Sequence, residues 1–267
     1  MTEEEAHTYT DGVCVCGRQY DNTLSEVSLY DTQDNTTTLT ANYGKVVNVT
    51  LDGRTLYKDG SWNTLCLPFN LSEEQLAAEA CPLKDATIKT LDSSSFADGT
   101  LTLNFTNATT VEAGKPYIVK WASGVNIEGP TFENVTISNT LADVTTDKVN
   151  FVGSFSPVSL TGGDRSVLYL GADNKLYYPS TDMTVGSCRA VFRLKDITAG
   201  DLLQQARHFV LNFGDGETAT GIIGIGSTRT DTDKNDGYWY DLQGRKLSGK
   251  PTQKGIYINH GNKVVIK

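Results

Sequence analysis

The sequence predicts an all-β protein: an antiparallel β-sandwich of about a dozen short strands with one short helix, plus a small C-terminal three-strand β tail. Three observations support this fold class. Apolar and polar residues alternate repeatedly, as on strands that bury one face. Asp-Gly and Gly-Gly pairs separate these stretches and suit tight turns. The 267 residues are only 38% hydrophobic, which fits short strands with a second face in solvent.

The strands of the sandwich are predicted from period-two alternation between residues 24 and 225. The alternating apolar sets are Val47/Val49/Leu51, Leu65/Leu67/Phe69, Leu101/Leu103/Phe105, Tyr117/Val119/Trp121, Leu168/Leu170, Phe192/Leu194 and Phe209/Leu211/Phe213. Turns are expected at Asp52-Gly53, Asp59-Gly60, Asp98-Gly99, Gly162-Gly163 and Asp215-Gly216. The residues expected to be buried between two sheets are Leu65, Leu67, Phe69, Leu101, Leu103, Phe105, Val119, Phe209 and Leu211, with Trp121 also in the core.

One helix is predicted at residues 73–80. Ser72 and Gln75 have the spacing of a capping box, and Leu71 and Leu76 occupy the positions of a hydrophobic staple. The Cys-Pro pair at residues 81–82 ends the helix, because a residue before proline disfavours helical geometry. A second short helix is expected around residues 201–206.

Four segments are predicted along the chain. Residues 1–22 form a polar N-terminal linker, residues 23–226 the β-sandwich domain, residues 227–236 a second linker, and residues 237–267 the β tail. The second linker is predicted because it has no apolar residue that could anchor it. The tail has three predicted strands, at residues 238–242, 255–259 and 263–266.

The tail and several central segments resemble a known family. Residues 236–267, DGYWYDLQGRKLSGKPTQKGIYINHGNKVVIK, resemble the C-terminal tail of secreted and surface-anchored Bacteroidales proteins. Four further segments resemble the non-catalytic β domain that precedes this tail: GSWNTLCLPFNLSEEQ (60–75), DGTLTLNF (98–105), VEAGKPYIVKW (111–121) and SVLYLGADNKLYYP (166–179). Some of those proteins also carry leucine-rich repeats, which this chain lacks.

The resemblance implies a sandwich fold and a place outside the cell, either free or on the outer-membrane surface. It also implies that the tail is recognised by export or attachment machinery. It identifies no ligand. The first residues, MTEEEAH, are acidic and polar and do not form a signal peptide, so we expect a mature piece or a fragment.

The charge of the chain excludes several kinds of partner. The formal net charge is −9, the pI is about 4.8, and basic residues do not cluster. Nucleic-acid binding needs a cationic stripe that displaces counterions from phosphates, so no nucleic-acid partner is predicted. No run of 18 apolar residues exists, so no membrane insertion is predicted.

The cysteines predict no disulfide framework, because five is an odd number. Cys66 and Cys188 are expected to be buried core thiols. A Cys66–Cys81 bridge stays open as an alternative in an oxidising compartment.

No metal or cofactor is predicted. His7, Cys14 and Cys16 supply three of the four ligands that a zinc site needs, and the Cys-x-Cys spacing is shorter than usual, so a linker remnant is favoured. Residues 231–237 resemble the start of a calcium loop, but Asp236 and Leu242 stand at the two positions where an EF-hand requires Gly and Glu. The chain is therefore expected to fold without metal.

No catalytic residue is predicted either, and we interpret the chain as non-enzymatic. It contains no G-x-S-x-G nucleophile elbow and no H-E-x-x-H motif. His208 lies in a predicted strand, where a surface or edge position is favoured over a role as a base. The glycines of residues 221–226 fit no phosphate-binding spacing. A glycosidase needs two carboxyl groups across a cleft, and sequence alone does not position such a pair.

Aromatic residues are the candidate ligand contacts, because exposed rings can stack on sugars. The candidates are Trp62, Tyr177, Tyr178 and Trp239. Adjacent rings on a strand, as in Tyr177-Tyr178 and Trp239-Tyr240, point to opposite faces, which leaves one ring of each pair as a candidate for exposure. The predicted function is that of a non-enzymatic extracellular surface module, for adhesion or for contact with a host glycan or protein. Two alternatives stay open: a structural spacer that carries other modules, and a carbohydrate-active hydrolase. A concave groove lined by several aromatic residues would favour glycan binding.

Overall fold

The computed structural model describes residues 24–171, 174–195, 208–214, 216, 218–219 and 251, and the strand backbone at residues 9–10, 13–14, 220–222, 239–240, 246–247, 255–259 and 262–266. The chain divides into two compact units, Met1–Ile223 and Gly224–Lys267. The boundaries predicted at residues 22, 226 and 236 lie outside the described residues and stay predictions.

The all-β class predicted from the sequence is confirmed. The strands of the first unit are β1 (Tyr9–Thr10), β2 (Val13–Cys14), β3 (Glu26–Tyr30), β4 (Val46–Asp52), β5 (Thr55–Leu56), β6 (Asn63–Cys66), β7 (Thr87–Ala97), β8 (Thr100–Asn107), β9 (Pro116–Lys120), β10 (Ile127–Glu128), β11 (Thr131–Thr136), β12 (Val144–Thr145), β13 (Val149–Ser154), β14 (Val158–Leu160), β15 (Val167–Leu170), β16 (Leu176–Tyr177), β17 (Met183–Val185), β18 (Arg189–Leu194), β19 (His208–Asn212) and β20 (Thr218–Ile222). The helices are α1 (Thr36–Ala41) and α2 (Glu73–Ala77).

Two sheets enclose a core rich in aromatic residues, which we call the aromatic core. A six-stranded sheet has the order β20-β19-β8-β7-β9-β6, and a five-stranded sheet has the order β12-β13-β18-β15-β16. Phe105 of the first sheet lies edge-on to Phe151 and Phe192 of the second, with ring centroids 6.4 and 6.2 Å apart. Such edge-to-face pairs stabilise a core beyond the area that they bury.

A second core lies under the three-stranded sheet β11-β4-β3. It contains Leu65, Leu67, Phe69 and Val119, whereas Leu101, Leu103, Phe105, Phe209 and Leu211 belong to the aromatic core. All of these residues are buried, as predicted, and so is Trp121. The prediction of a single core between two sheets is corrected, because the third sheet creates a second one.

Strand β9 is buried on both faces. Tyr117 and Val119 contribute to the core under the three-stranded sheet, and Ile118 contributes to the aromatic core. Four consecutive residues of this strand, PYIV, are buried. A strand buried on both faces has a continuous apolar run rather than alternation.

A third, smaller cluster covers the outer face of the five-stranded sheet. Val167 and Val191 of that sheet pack with Leu160 of the two-stranded antiparallel β14–β17 sheet. This two-stranded sheet therefore adds a further layer to the first unit.

One turn and one helix cap form as the sequence predicts. The Asp98-Gly99 turn joins β7 to β8, and both residues have positive φ, at 50° and 75°. The Ser72 hydroxyl accepts from the Gln75 amide N–H, and the Gln75 side chain accepts from the Ser72 amide, which completes the capping box. Helix α2 ends at Ala77, three residues before the predicted end, because Ala78 is already extended.

The structure adds a helix and two parallel strand pairs to the predicted fold. Helix α1 connects β3 to β4, which are parallel. Strands β8 and β19 are also parallel. Parallel neighbours need a crossover connection, which explains why a helix lies between β3 and β4. The helix predicted at residues 201–206 lies outside the described residues.

The second unit contains a four-stranded sheet with the order β22-β21-β23-β24. Its strands are β21 (Trp239–Tyr240), β22 (Lys246–Leu247), β23 (Gly255–Asn259) and β24 (Asn262–Ile266). Strands β21, β23 and β24 fall within or overlap the three strands predicted for the tail, and β22 is additional. Among the helices in the described part of the chain, none is long and apolar enough to cross a membrane.

Candidate functional site

A groove of about 600 Å³ lies in the first unit, between the β5–β6 segment and the β15 to β18 region. Its size is within the range of pockets that hold small molecules. Its lining combines aromatic rings with acidic, basic and hydroxyl side chains. We call it the aromatic groove.

Tyrosines form the exposed aromatic surface of the groove. Tyr57 is 50% exposed, and Tyr169 is half-buried. Tyr169 pairs across the β15–β16 ladder with Tyr177, and the two ring centroids are 5.9 Å apart. Tyr177 is 37% exposed, so this pair extends the aromatic surface from the groove along the sheet.

The backbone of Tyr57 is fixed by Asn63. The Asn63 side chain accepts from the Tyr57 N–H and donates to the Tyr57 carbonyl, both at 2.9 Å. Asn63 is itself buried. This pair of hydrogen bonds holds the backbone of an exposed aromatic residue in one conformation, which lowers the entropy lost when a ligand binds.

An ion pair between Asp31 and Arg189 lies in the groove. Arg189 donates from one terminal nitrogen to Asp31 Oδ1; the Arg189 side chain is 25% exposed and the Asp31 side chain is 17% exposed. Gly186 passes close to both residues. A Cβ at Gly186 would fall 2.5 Å from each carboxylate oxygen of Asp31, so a larger residue would displace the ion pair from this position.

Arg54 is a buried residue of the groove lining. It is only 2% exposed and donates to the carbonyls of Ser187, Cys188 and Thr64 at 3.2, 2.9 and 2.5 Å. Its Nε has no hydrogen-bond partner among the described residues. Burial, followed by the nearby charge of Arg189, lowers the pKa of Arg54 to about 9. The guanidinium therefore stays charged at neutral pH.

Asp59 closes the turn at one rim of the groove. Its carboxylate accepts from the Ser61 amide at 2.9 Å and from the Ser61 hydroxyl at 2.5 Å. These hydrogen bonds hold the pKa of Asp59 below its usual range. Asp59 is therefore ionised at neutral pH.

The sequence-predicted aromatic residues have different surroundings. Trp62 lines the groove but is 96% buried, stacks on Phe213 at 4.8 Å, and lies under Lys120 Nζ. Tyr178 packs edge-on against Phe209, and its buried hydroxyl has no partner in the described structure. Tyr177 is exposed beside the groove. The side chain of Trp239 lies outside the described residues.

Sequence reasoning missed Tyr57, Tyr169, Asp31 and Arg189. Tyr57 lies two residues before the predicted Asp59-Gly60 turn, and residues next to turns are often exposed. Asp31 and Arg189 are 158 residues apart, so their pairing leaves no local pattern.

The described cysteines are free thiols. Cys66 and Cys188 are buried, as predicted, and Cys81 is half-buried. Burial raises the pKa of Cys188 to about 11 and raises that of Cys66 well above its usual range. The Cys66–Cys81 bridge is not formed in this structure.

The part of the chain that the structure describes contains no group of three or more His, Cys, Asp and Glu residues arranged to hold a metal ion. His7, Cys16 and residues 231–237 are outside the described residues, and only the backbone of Cys14 is described. His208 is exposed on β19, which agrees with its predicted surface position.

The chain was also compared with known proteins. No protein-family model matches it. Neither the curated proteins nor the solved structures give a significant match.

Proposed function

We propose that the chain is a non-enzymatic extracellular surface module that binds glycan in the aromatic groove. The observation that carries this proposal is the set of three tyrosines, Tyr57, Tyr169 and Tyr177, in and beside a concave groove with polar side chains. Aromatic faces stack on the apolar faces of sugar rings, and polar groups around them bind hydroxyls. A flat spacer surface has no need of this combination.

Binding is favoured over hydrolysis because of the surroundings of the two carboxylates that line the groove, Asp31 and Asp59. A glycosidase needs one carboxyl group with a raised pKa as the general acid. Hydrogen bonds lower the pKa of Asp59, and Asp31 is held in an ion pair with Arg189. Asp59 therefore lacks the raised pKa of a general acid, and the contact with Arg189 already occupies one oxygen of Asp31.

The proposed location and attachment depend on the resemblance of the sequence to Bacteroidales surface proteins. In this proposal the C-terminal unit is recognised by export or attachment machinery, and the first unit presents the groove to a host glycan or to a glycosylated protein. The acidic net charge of −9 suits neither nucleic acid nor an anionic membrane surface as a partner.

A glycan array probed with the purified full chain tests the proposal. We expect binding to a restricted set of glycans, and Tyr57→Ala and Tyr169→Ala should each weaken it at least tenfold through lost stacking. Tyr43→Ala is the matched control, because Tyr43 is 61% exposed but does not line the groove. Binding that survives both groove substitutions, or no binding at all, would overturn the proposal. Release of shortened sugars would favour the hydrolase alternative.

A further inference from the structure

We infer that the aromatic groove recognises a neutral sugar through a pair of adjacent hydroxyl groups, with Asp31 and Arg189 as the polar contacts. This inference rests on the proposed glycan-binding function and specifies its ligand class. One hydroxyl donates to the Asp31 carboxylate, and its neighbour accepts from the Arg189 guanidinium. The sugar ring packs against tyrosine.

The ion pair keeps capacity for a ligand. A carboxylate can accept about four hydrogen bonds and a guanidinium has five N–H donors. Their mutual contact uses one oxygen of Asp31 and one terminal nitrogen of Arg189. Both side chains line the groove and keep part of their surface accessible. An acceptor and a donor are therefore side by side, which matches two neighbouring hydroxyls of which one donates and one accepts.

The charges of the groove favour a neutral ligand. Its lining contains two acidic residues, Asp31 and Asp59, and two arginines, Arg54 and Arg189. An anionic sugar would approach Arg189 only beside the Asp31 carboxylate, and a cationic one would meet both arginines. The net charge of −9 further repels an acidic polysaccharide. A neutral sugar avoids each of these repulsions.

The geometry of the ion pair is held by its surroundings. The Asp31 carbonyl accepts from the Ser187 N–H at 2.9 Å, and the Asp31 N–H donates to the Asp52 carbonyl at 2.8 Å. Ser187 and Cys188 directly precede Arg189 in the chain. Arg54 donates hydrogen bonds to the carbonyls of both residues and to that of Thr64 in β6, and so connects this segment to β6. The backbone of both contact residues is thus fixed before a ligand arrives, as specific recognition requires.

The first experiment varies the ligand and uses the unmodified full chain. Affinity electrophoresis and calorimetry compare neutral polysaccharides with polygalacturonate and chondroitin sulfate, at low and at high salt. We expect a neutral polysaccharide to bind with an affinity that salt changes less than twofold, because screening acts on charged partners. Treatment of that polysaccharide with periodate and then borohydride cleaves its adjacent diols without adding charge, and should abolish binding.

Glucose oligomers with different linkages distinguish the contribution of the adjacent hydroxyls to affinity from that of ring stacking. Cello-oligosaccharides keep adjacent hydroxyls on their internal rings, whereas the internal rings of laminari-oligosaccharides have none. If a glucan binds, only the first series should gain affinity with length. Equal gains in both series would overturn the inference.

The second experiment varies the protein. Asp31→Asn and Arg189→Lys should each reduce affinity at least tenfold, because lysine lacks the planar fork of arginine. Glu112→Gln is the matched control, since Glu112 forms a surface ion pair with Lys115 at 2.7 Å and does not line the groove. Melting temperatures establish whether each variant is folded.

The outcomes distinguish the inference from the proposed function. Salt-sensitive binding to acidic polysaccharides alone would overturn the inference and leave glycan binding intact. Undiminished binding of the periodate-treated polysaccharide, or of folded Asp31 and Arg189 variants, would also overturn it. A complete lack of glycan binding would overturn both.

Discussion

Gly153 and Cys66 form a close contact between the two large sheets, and substitution of the glycine should destabilise the fold. Gly153 lies opposite Ala190 in the β13–β18 ladder, so its backbone is fixed. A Cβ at Gly153 would clash with Cys66 Sγ and lie 3.0 Å from Cys66 Cβ and 3.4 Å from the Gly114 carbonyl oxygen. Apolar atoms pack best at about 3.5–4.0 Å, so the sulfur must move or the strands must separate.

The expected cost of Gly153→Ala is about 1–3 kcal/mol of unfolding free energy, the usual range for overpacking. The sulfur cannot move freely, because Cys66 is fully buried and its Sγ lies 3.3 Å from the Gly114 carbonyl. Cys66→Ala alone should cost about 1 kcal/mol through loss of one buried heavy atom. In the double variant the clash with sulfur disappears. The double variant should therefore lose less unfolding free energy than the sum of the two single losses, by about 1 kcal/mol or more.

Urea unfolding of the four proteins in this cycle measures the coupling, with the denaturation midpoint and slope fitted separately. Cys81→Ala in the Gly153→Ala background is the specificity control, because Cys81 is half-buried elsewhere and should rescue nothing. Additive costs, or a Gly153→Ala variant as stable as the parent, would refute the packing argument.

Four further predictions follow from the core, the groove region and the tail. Phe105→Ala should lower the unfolding free energy by about 3–5 kcal/mol, because it removes a ring that contacts Phe151, Phe192 and Phe213; urea titration measures this, and a loss below about 1 kcal/mol would contradict it. Tyr178→Phe should leave stability at neutral pH unchanged or raise it by up to about 1 kcal/mol, because the buried hydroxyl lacks a partner in the described structure. Burial raises the pKa of Tyr178 from its ordinary 10.0 to about 12. The tyrosine therefore ionises at lower pH in the unfolded chain than in the folded one, and stability should fall between these two pH values. The melting temperature of Tyr178→Phe should decrease less than that of the parent over this pH range. A strong chelator should leave the melting temperature unchanged, and a large drop would disprove metal-independent folding. Mild proteolysis is expected to cut first near Arg229 or Lys234, and deletion of residues 228–267 should lower surface display in the native host while the first unit stays folded; unfolding of the truncated chain would show that the tail is part of the core.

Local features of this fold could be read from the sequence. The Ser72 capping box and the Asp98-Gly99 hairpin depend on residues a few positions apart, and both form as predicted. The strand phases of Leu101 and Phe209 follow from alternation alone. Such signals are local, so one sequence suffices to find them.

Long-range features could not be read in this way. Helix α1, TTTLTA, is mostly threonine, a residue with low helix propensity, and only Leu39 is buried. It forms because a crossover between parallel strands is needed, and nothing near it in sequence signals that β3 and β4 are parallel. The aromatic groove depends on the same kind of contact, since Tyr57, Tyr169 and Arg189 come from distant parts of the chain.

The burial of both faces of β9 has a consequence for the order in which a growing chain can fold. Most of the core under the three-stranded sheet comes from residues 27–137, whereas the aromatic core extends to Phe213. During synthesis or export, the first of these cores can begin to form while β9 still exposes Ile118 on its other face. That apolar face has to stay shielded until the five-stranded sheet arrives. An organism that exports this chain therefore needs to keep the intermediate soluble through the interval between the two cores.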